Sequence, residues 1–200
     1  MSRILPPDRP QLTAEQLDLV IADHRAKIMP GDKVILVIWR GYFRDTMGEK
    51  GKNDVGIYDD AFFWRAPNAF SAWNGNSDPS HLGWNPNAGK FMARLAVGVW
   101  RFVKWKHKGQ YWAFGQGENN VTVERVRSDG TVAKQDTGCF GINIHKGSTL
   151  HTSSEGCQTL PPSQWEPFRT AGYGLLDAWK QKTFPVIVVV NQEAFPSRGA

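Results

Sequence analysis

The pattern of apolar and polar positions predicts two amphipathic helices, one near each end of the chain. The first runs over residues 13–29 and begins at a capping box formed by Thr13 and Gln16. The second runs over residues 163–180 and begins at a capping box that starts at Ser163. The apolar stripe of the first helix comprises Leu17, Val20 and Ile21. The stripe of the second comprises Trp165, Phe168, Leu175, Leu176 and Trp179.

Apolar runs and alternating positions between these helices predict the strands of a sheet. Residues 34–39 and 185–190 are almost unbroken apolar runs, which is typical of strands buried on both faces. Shorter strands are predicted at 99–105, 111–114, 121–126 and 140–144, and on either side of Pro67, with a turn at 128–130. The chain is therefore expected to form a strand-rich, mostly β, α+β domain with two flanking helices.

Polar and glycine-rich segments connect these elements. Residues 1–12 contain three prolines and predict an extended lead-in, and residues 41–60 predict a mobile loop. Residues 74–89 are dense in Asn, Gly, Ser and Pro, and predict a long surface loop of the kind that often forms a lid or a binding edge. No internal repeat divides the chain, so residues 1–200 are expected to form a single domain.

The net charge of the chain indicates which classes of binding partner it suits. Lys and Arg total 24 against 19 Asp and Glu, and the resulting net charge of +5 suits nucleic acid, teichoic acid, anionic lipid or carboxylate-rich murein. Residues 101–108 interleave cations with aromatic residues, which favours a strand with a basic face and buried aromatics over a stacking surface for bases or sugars. Without an accompanying nucleic-acid motif, no nucleic-acid partner is expected. The sequence shows neither an apolar run of membrane-spanning length nor a signal peptide.

The chemistry concentrates in two segments, 141–147 (GINIHKG) and 153–159 (SSEGCQT), which place His145 and Cys157 on either side of a Gly/Ser-rich connection. A thiol in contact with an imidazole is a nucleophile, because the imidazole takes the thiol proton. Gly156 allows a tight turn before Cys157 and would leave amide groups free to hold an oxyanion. The second cysteine, Cys139, is expected to be free and to lie buried in a strand as a small apolar residue.

These segments resemble the active-site signature of the L,D-transpeptidase (YkuD-like) family, with Ile144, His145, Ser154, Gly156 and Cys157 at the matching positions. The resemblance implies a mostly β YkuD-like catalytic domain in which Cys157 is the nucleophile and His145 its general base. It also implies that the amides around Gly156 and Cys157 form part of an oxyanion hole. Ser154 would orient His145 or line that hole, unless it is an ordinary turn serine.

The chain departs from the family pattern in three ways. Glu155 stands where many members have a second histidine, the connection between His145 and Cys157 is shorter than usual, and residues 158–162 replace the common continuation. The match covers about residues 137–165 and is similar to a divergent phage-type branch of murein peptidases and endolysins. A weaker likeness involves residues 53–60.

Several other residues are candidates for substrate contacts. His151 could serve as the base or fill the place of the missing second histidine, and Glu155 could recognise an amine, repel a carboxylate or be solvated. Asp59, with its neighbours Asp54, Tyr58 and Asp60, could bind an amine or a cation, or form a solvated acidic turn. Trp84, like Trp73, could stack on a sugar ring. The remaining histidines, His24, His81 and His107, are expected to be structural or exposed.

We therefore expect a monomeric cysteine peptidase that cleaves peptide stems or cross-links of bacterial peptidoglycan through a Cys157 thioester and needs no cofactor. It would be made in the host cytoplasm and reach the wall through a holin pore, by lysis or on a phage particle, without membrane insertion. If an amine releases the thioester, the protein is an L,D-transpeptidase. A non-enzymatic wall-binding or phage structural module is a further alternative, as is a zinc site that draws on Cys139, His145, His151, Glu155 and Cys157.

Overall fold

Strands predominate in the computed structural model, which describes residues 4–80, 91–127 and 130–190. Within these ranges the fold is α+β and mostly strand, with two α-helices, as expected. The elements in chain order are α1 (Ala14–Asp23), a 3₁₀ turn (Arg25–Lys27), β1 (Ile35–Arg40), β2 (Asp60–Ala66), β3 (Ala69–Gly75), β4 (Met92–Leu95), β5 (Gly98–His107), β6 (Tyr111–Gly115), β7 (Val121–Val126), β8 (Val132–Gly138), β9 (Asn143–Lys146), β10 (Gln158–Leu160), α2 (Pro162–Ala178) and β11 (Thr183–Val190). Neither helix of the described ranges has the length and apolar character needed to cross a membrane.

Eight strands form one sheet in the order β10-β9-β6-β5-β11-β1-β2-β3. The two long apolar runs of the sequence are the neighbouring central strands β1 and β11, which pair in parallel. Asn76, just beyond β3, bridges to Thr159 of β10, and the two residues exchange N–H···O bonds of 2.8 Å each. The two ends of the sheet therefore meet, which brings the segment after β3 next to the strand that follows Cys157.

The sheet has a hydrophobic core on each face. Leu36 and Ile38 of β1 face a core that also contains the buried residues of α2, whereas Val37 and Trp39 face a second core against α1. This division follows from strand alternation, because successive side chains point to opposite faces. In the first core the ring of Trp64 lies 5.2–5.3 Å from three other ring centroids, those of Phe114, Phe168 and Phe184.

Both helices differ from the predicted ones at an end. The Thr13–Gln16 capping box is confirmed, but α1 ends at Asp23 because His24 leaves the helical conformation, and the chain continues as a 3₁₀ turn. In α2 the predicted capping box is wrong. The cap is Pro161, which has no side-chain hydrogen bond, and Ser163 is already inside the helix. Trp179 follows the last helical residue and is 41% exposed, so it does not belong to the buried stripe.

A second sheet of three strands, β4-β7-β8, lies beside the first. Of these, β7 has the predicted bounds, whereas β4 and β8 were not predicted because neither shows a strong apolar pattern. Residues 128 and 129 of the predicted turn lie outside the described residues, although Arg127 and Thr131 join across it through an N–H···O bond of 2.9 Å.

The first predicted loop is irregular, with an exposed middle at 48–52 and a buried end. The segment 41–59 ends in buried residues, and Tyr58 donates its backbone N–H to Ile4 of the lead-in at 2.7 Å. The basic segment 101–108 is strand and turn, as predicted. Phe102 is buried there, but Trp105 is 41% exposed, so its aromatics are buried only in part. Of the predicted surface loop 74–89, residues 74 and 75 belong to β3, and residues 76–80 are buried, so the prediction of an exposed loop is wrong for these residues. Residues 81–89 lie outside the described residues.

Candidate functional site

The structure brings Cys157 and His145 to one face of the sheet. β9 and β10 are parallel neighbours, with Ile144 opposite Gln158 and His145 opposite Thr159. Cys157 directly precedes β10, so one step back along the register sets it opposite Asn143, on the same face as His145. Both side chains line a cavity of about 320 Å³, with Ser80, His107, Lys108, Ser153, Ser154 and Glu155.

A second cavity, of about 390 Å³, adjoins Cys157 on another side. It shares His107, Lys108, Glu155 and Cys157 with the first, so the thiol lies where the two cavities meet. The other residues that line it are Ala93, Arg125, Phe140, Gly141, Ile142, Asn143 and Gly156. A substrate held at Cys157 therefore has room on both sides of the sulfur.

The thiol of Cys157 is half-buried and contacts backbone groups. Its Sγ accepts the N–H of Asn143 at 3.4 Å and points toward the carbonyl oxygen of Gly141 at 3.8 Å. Burial raises the pKa of Cys157, and the negative charge of Glu155 adds to that rise, while Asn143 and Lys108 oppose it. The resting group is therefore a neutral thiol.

His145 is buried with a defined tautomer. Its Nδ1 lies 2.9 Å from the carbonyl oxygen of Lys146, and because a carbonyl only accepts, Nδ1 carries the proton. The Nε2 of the neutral ring is then free to accept a proton. Burial, followed by the charge of His107, lowers the pKa of His145 to about 4. His145 is thus an uncharged imidazole at neutral pH, as a general base must be.

His107 is a site residue that the sequence did not indicate. It was expected to be exposed, but it is 8% exposed and stacks on His145, with ring centroids 4.0 Å apart and planes at 22°. The reason is that β5 continues two residues beyond its predicted end, so His107 follows Val103 and Trp105 on the face that reaches His145. Extending that alternation along the sequence would have placed His107 on the same face of the strand as Val103 and Trp105, but not beside His145.

Ser154 and Gly156 shape the turn before the cysteine. Ser154 Oγ accepts the N–H of Gly156 at 2.9 Å and donates to the carbonyl oxygen of Cys157 at 2.5 Å. Ser154 therefore acts as a turn serine, because both of these hydrogen bonds go to the backbone of its own turn. A Cβ on residue 156 would lie 2.8 Å from the Cβ of Ala93, so glycine permits close packing against β4. The Gly156 N–H already donates to Ser154 Oγ. Of the two amides predicted to form part of an oxyanion hole, that of Cys157 therefore remains the candidate.

His151 and Glu155 occupy different surroundings. The carbonyl oxygen of His151 accepts the N–H of Ser148 at 3.2 Å and the hydroxyl of Tyr58 at 3.4 Å, and His151 lines neither cavity at Cys157. The ring that stacks on His145 belongs to His107. Glu155 is exposed and lines both cavities.

Tyr58 and Asp59 are not placed to touch a substrate. Tyr58 is 1% exposed and donates its hydroxyl to the carbonyl oxygen of Ser148 at 2.7 Å, while Asp59 is fully buried. The solvated acidic turn is equally wrong, because Asp60 is also fully buried and accepts backbone N–H groups from Gly41 and Ser77. These residues brace the loops around the site.

Of three further candidates, the structure describes Cys139 alone. Cys139 is free but exposed, and its thiol donates to the carbonyl oxygen of Gly117 at 3.3 Å, so the prediction of a buried cysteine is wrong. Trp84 and His81 lie outside the described residues. Among the residues that the structure does describe, no three His, Cys, Asp or Glu side chains are grouped so that they could hold a metal ion.

The geometry thus combines a thiol, a neutral imidazole and two adjoining cavities, an arrangement suited to attack on a carbonyl carbon. Comparison of the chain with protein-family models, with curated proteins and with solved structures finds no match.

Proposed function

We propose that this protein is a cysteine-dependent hydrolase that cleaves peptide stems or cross-links of bacterial peptidoglycan, on a YkuD-like catalytic domain. The observation that carries the proposal is the pairing of β9 with β10, which sets Cys157 and a neutral His145 on the wall of one cavity. The wall as substrate rests on the resemblance of segments 141–147 and 153–159 to the L,D-transpeptidase signature. Under this proposal the protein acts outside the cytoplasm after release or delivery.

The reaction follows from the protonation states. Because Cys157 is a neutral thiol and His145 a neutral base, Nε2 takes the thiol proton as Sγ bonds to the substrate carbonyl carbon. The imidazolium then gives that proton to the leaving amine nitrogen as the carbon–nitrogen bond breaks, which leaves a thioester. Water then attacks the thioester carbon as its proton passes to Nε2, the carbon–sulfur bond breaks, and the departing sulfur takes that proton from Nε2. This restores the Cys157 thiol and releases the acyl fragment as a carboxylic acid.

Transfer to an amine is a second candidate outcome. Two cavities meet at the sulfur, so an acyl donor and an acceptor amine could be held on opposite sides of Cys157. The thioester would then form a new amide bond, as in L,D-transpeptidation. The third alternative, a non-enzymatic wall-binding module, is consistent with a thiol that contacts backbone groups at rest.

Digestion of purified Gram-negative murein, with the released muropeptides identified by mass, tests these alternatives. Cys157→Ala should abolish product formation, and Cys139→Ala, the matched change at the exposed second thiol, should preserve it. Fragments that carry an added water indicate hydrolysis, whereas new cross-links indicate transpeptidation. Cleavage that survives in Cys157→Ala would overturn the proposal. Murein binding without any change in the muropeptides would favour the wall-binding module.

A further inference from the structure

The larger cavity at Cys157 contains a fixed cation. Arg125 of β7 places its guanidinium 4.9 Å from the ring centre of Phe140, and its Nε donates to Asp136 at 2.8 Å. These two contacts hold the guanidinium from its face and from its Nε edge. A guanidinium held in this way loses little freedom when it binds an acceptor, so it is ready to bind one in the cavity.

The charges around this cavity favour an anion. Its lining carries two cations, Arg125 and Lys108, and one carboxylate, Glu155. Burial lowers the pKa of His107, which keeps that ring neutral at neutral pH. Asp136, the partner of Arg125, also contacts Lys134 at 3.2 Å, so its charge is shared between two cations. A ligand carboxylate would therefore enter a cavity with an excess of positive charge.

The position of His145 indicates which fragment of the substrate each cavity would hold. His145 lines the smaller cavity, with Ser80 and Ser153, and has to reach the leaving nitrogen to protonate it. The leaving fragment therefore belongs on the His145 side of the sulfur. The acyl fragment, which becomes the thioester, then occupies the Arg125 side.

We propose that Arg125 and Phe140 form a specificity subsite for a free carboxylate carried by the acyl fragment of the substrate. The inference rests on the proposed function and names its substrate class: acidic peptides with a carboxylate close to the scissile carbonyl. The Arg125 guanidinium would donate to the carboxylate oxygens, and the Phe140 ring would form the apolar floor beneath the cation.

The test is calorimetric binding to full-length protein that carries Cys157→Ala, so that no turnover occurs. The probes are a murein tetrapeptide whose third residue has a free side-chain carboxylate, and the same peptide with that carboxylate amidated. The acid should bind about 10-fold or more tightly than the amide, as a charge-assisted hydrogen-bonded pair would give. Adding Arg125→Gln should abolish that difference.

Arg127→Gln is the matched control, because Arg127 is exposed, follows the same strand and lines neither cavity at Cys157. It makes the same change in net charge and should leave the preference for the acid intact. If Arg125→Gln does not fold, Phe140→Leu keeps the cation but removes its support, and should reduce the preference partly. Equal binding of acid and amide, no binding of either, or a preference that survives Arg125→Gln would each overturn the inference. The murein digestion reports separately on the proposed function.

Discussion

Two regions of this molecule hold titratable groups away from water, yet they are built differently. At the start of β2, the Asp60 carboxylate accepts the N–H of Gly41 at 2.5 Å and that of Ser77 at 2.6 Å, deep in the protein. Beside the paired strands β9 and β10, His145 lines one cavity of ligand size and Cys157 lines two. Burial shifts the pKa of groups in both regions, so a shifted pKa alone does not mark a functional site. The two regions differ in access to a cavity, which Cys157 and His145 have and the Asp60 carboxylate lacks among the cavities at the thiol.

The largest expected effect is on catalysis at His145. Under the proposed function, His145→Gln removes the proposed base for the thiol proton and should lower kcat/KM on murein peptides by about 10²- to 10⁴-fold. His107→Gln should cost less, because His107 acts on His145 through stacking and charge. It removes a cause of the low His145 pKa, so the acid limb of the pH–rate profile should move to higher pH.

His151→Gln is the matched control for both variants, since His151 lines neither cavity at the thiol. Its rate should equal that of the wild type. A large loss in His151→Gln with little loss in His145→Gln would show that the base had been assigned to the wrong histidine.

In the buried carboxylate region the expected effect is on stability. Asp60→Ala leaves the amides of Gly41 and Ser77 without their acceptor and should lower the free energy of unfolding by about 2–5 kcal/mol. Asp60→Asn keeps one acceptor oxygen and should cost less. Chemical denaturation measures both, and the folded fraction should retain its rate. A variant that stays stable but loses its rate would place Asp60 in the chemistry.

The same contrast explains what could be predicted from the sequence. The strands β1 and β11 were predictable because both of their faces are buried, which gives unbroken apolar runs. The half-exposed strand β8, with the sequence VAKQDTG, gives no such pattern. The two candidate residues of the motif, His145 in β9 and Cys157 just before β10, were proposed from their local sequence, and the structure places both on the wall of one cavity.

The residues that were missed depend on distant pairing. His107 lies next to His145 because β5 pairs with β6 and β6 pairs with β9. Arg125 belongs to the second sheet and lines the larger cavity at Cys157. No local pattern specifies which distant strands become neighbours, so neither contact follows from one sequence. The prediction for Asp59 was wrong for a different reason. A run of acidic residues ordinarily indicates an exposed turn, but Asp59 is fully buried.

A smaller effect is expected at the turn before the cysteine. Ser154→Ala removes a hydroxyl that serves the Gly156 amide and the Cys157 carbonyl, and should cost about 1–3 kcal/mol of unfolding free energy. Ser153→Ala changes the exposed neighbour and should be close to neutral. Thermal unfolding of the two variants checks this. Loss of rate in Ser154→Ala without loss of stability would instead support a role in orienting His145.

The smallest expected effect is a pH dependence of stability that the two regions produce with opposite signs. Burial, followed by the charge of Asp60, raises the pKa of Asp59 to about 9, so the folded protein holds a proton that the unfolded chain releases above about pH 4. That stabilisation is complete below pH 4 and is lost as the pH rises toward 9. The lowered pKa of His145 acts the other way, because its stabilisation is lost as the pH falls from about 6.5 toward 4.

Between pH 7 and 8.5 the contribution of the Asp59 carboxylate should dominate, because that of His145 is already complete and the raised pKa of Cys157 adds only a smaller loss near the upper limit. The unfolding free energy of the wild type should fall across that range by at most about 2 kcal/mol, the limit for one retained proton. Asp59→Asn keeps an acceptor for the Asp54 amide, which donates to Asp59 at 2.9 Å, and removes the titration. Its stability should therefore vary less with pH. If the unfolding free energy of Asp59→Asn falls as steeply with pH as that of the wild type, the titrating group is not Asp59, and the predicted contribution of the buried carboxylate to stability is wrong.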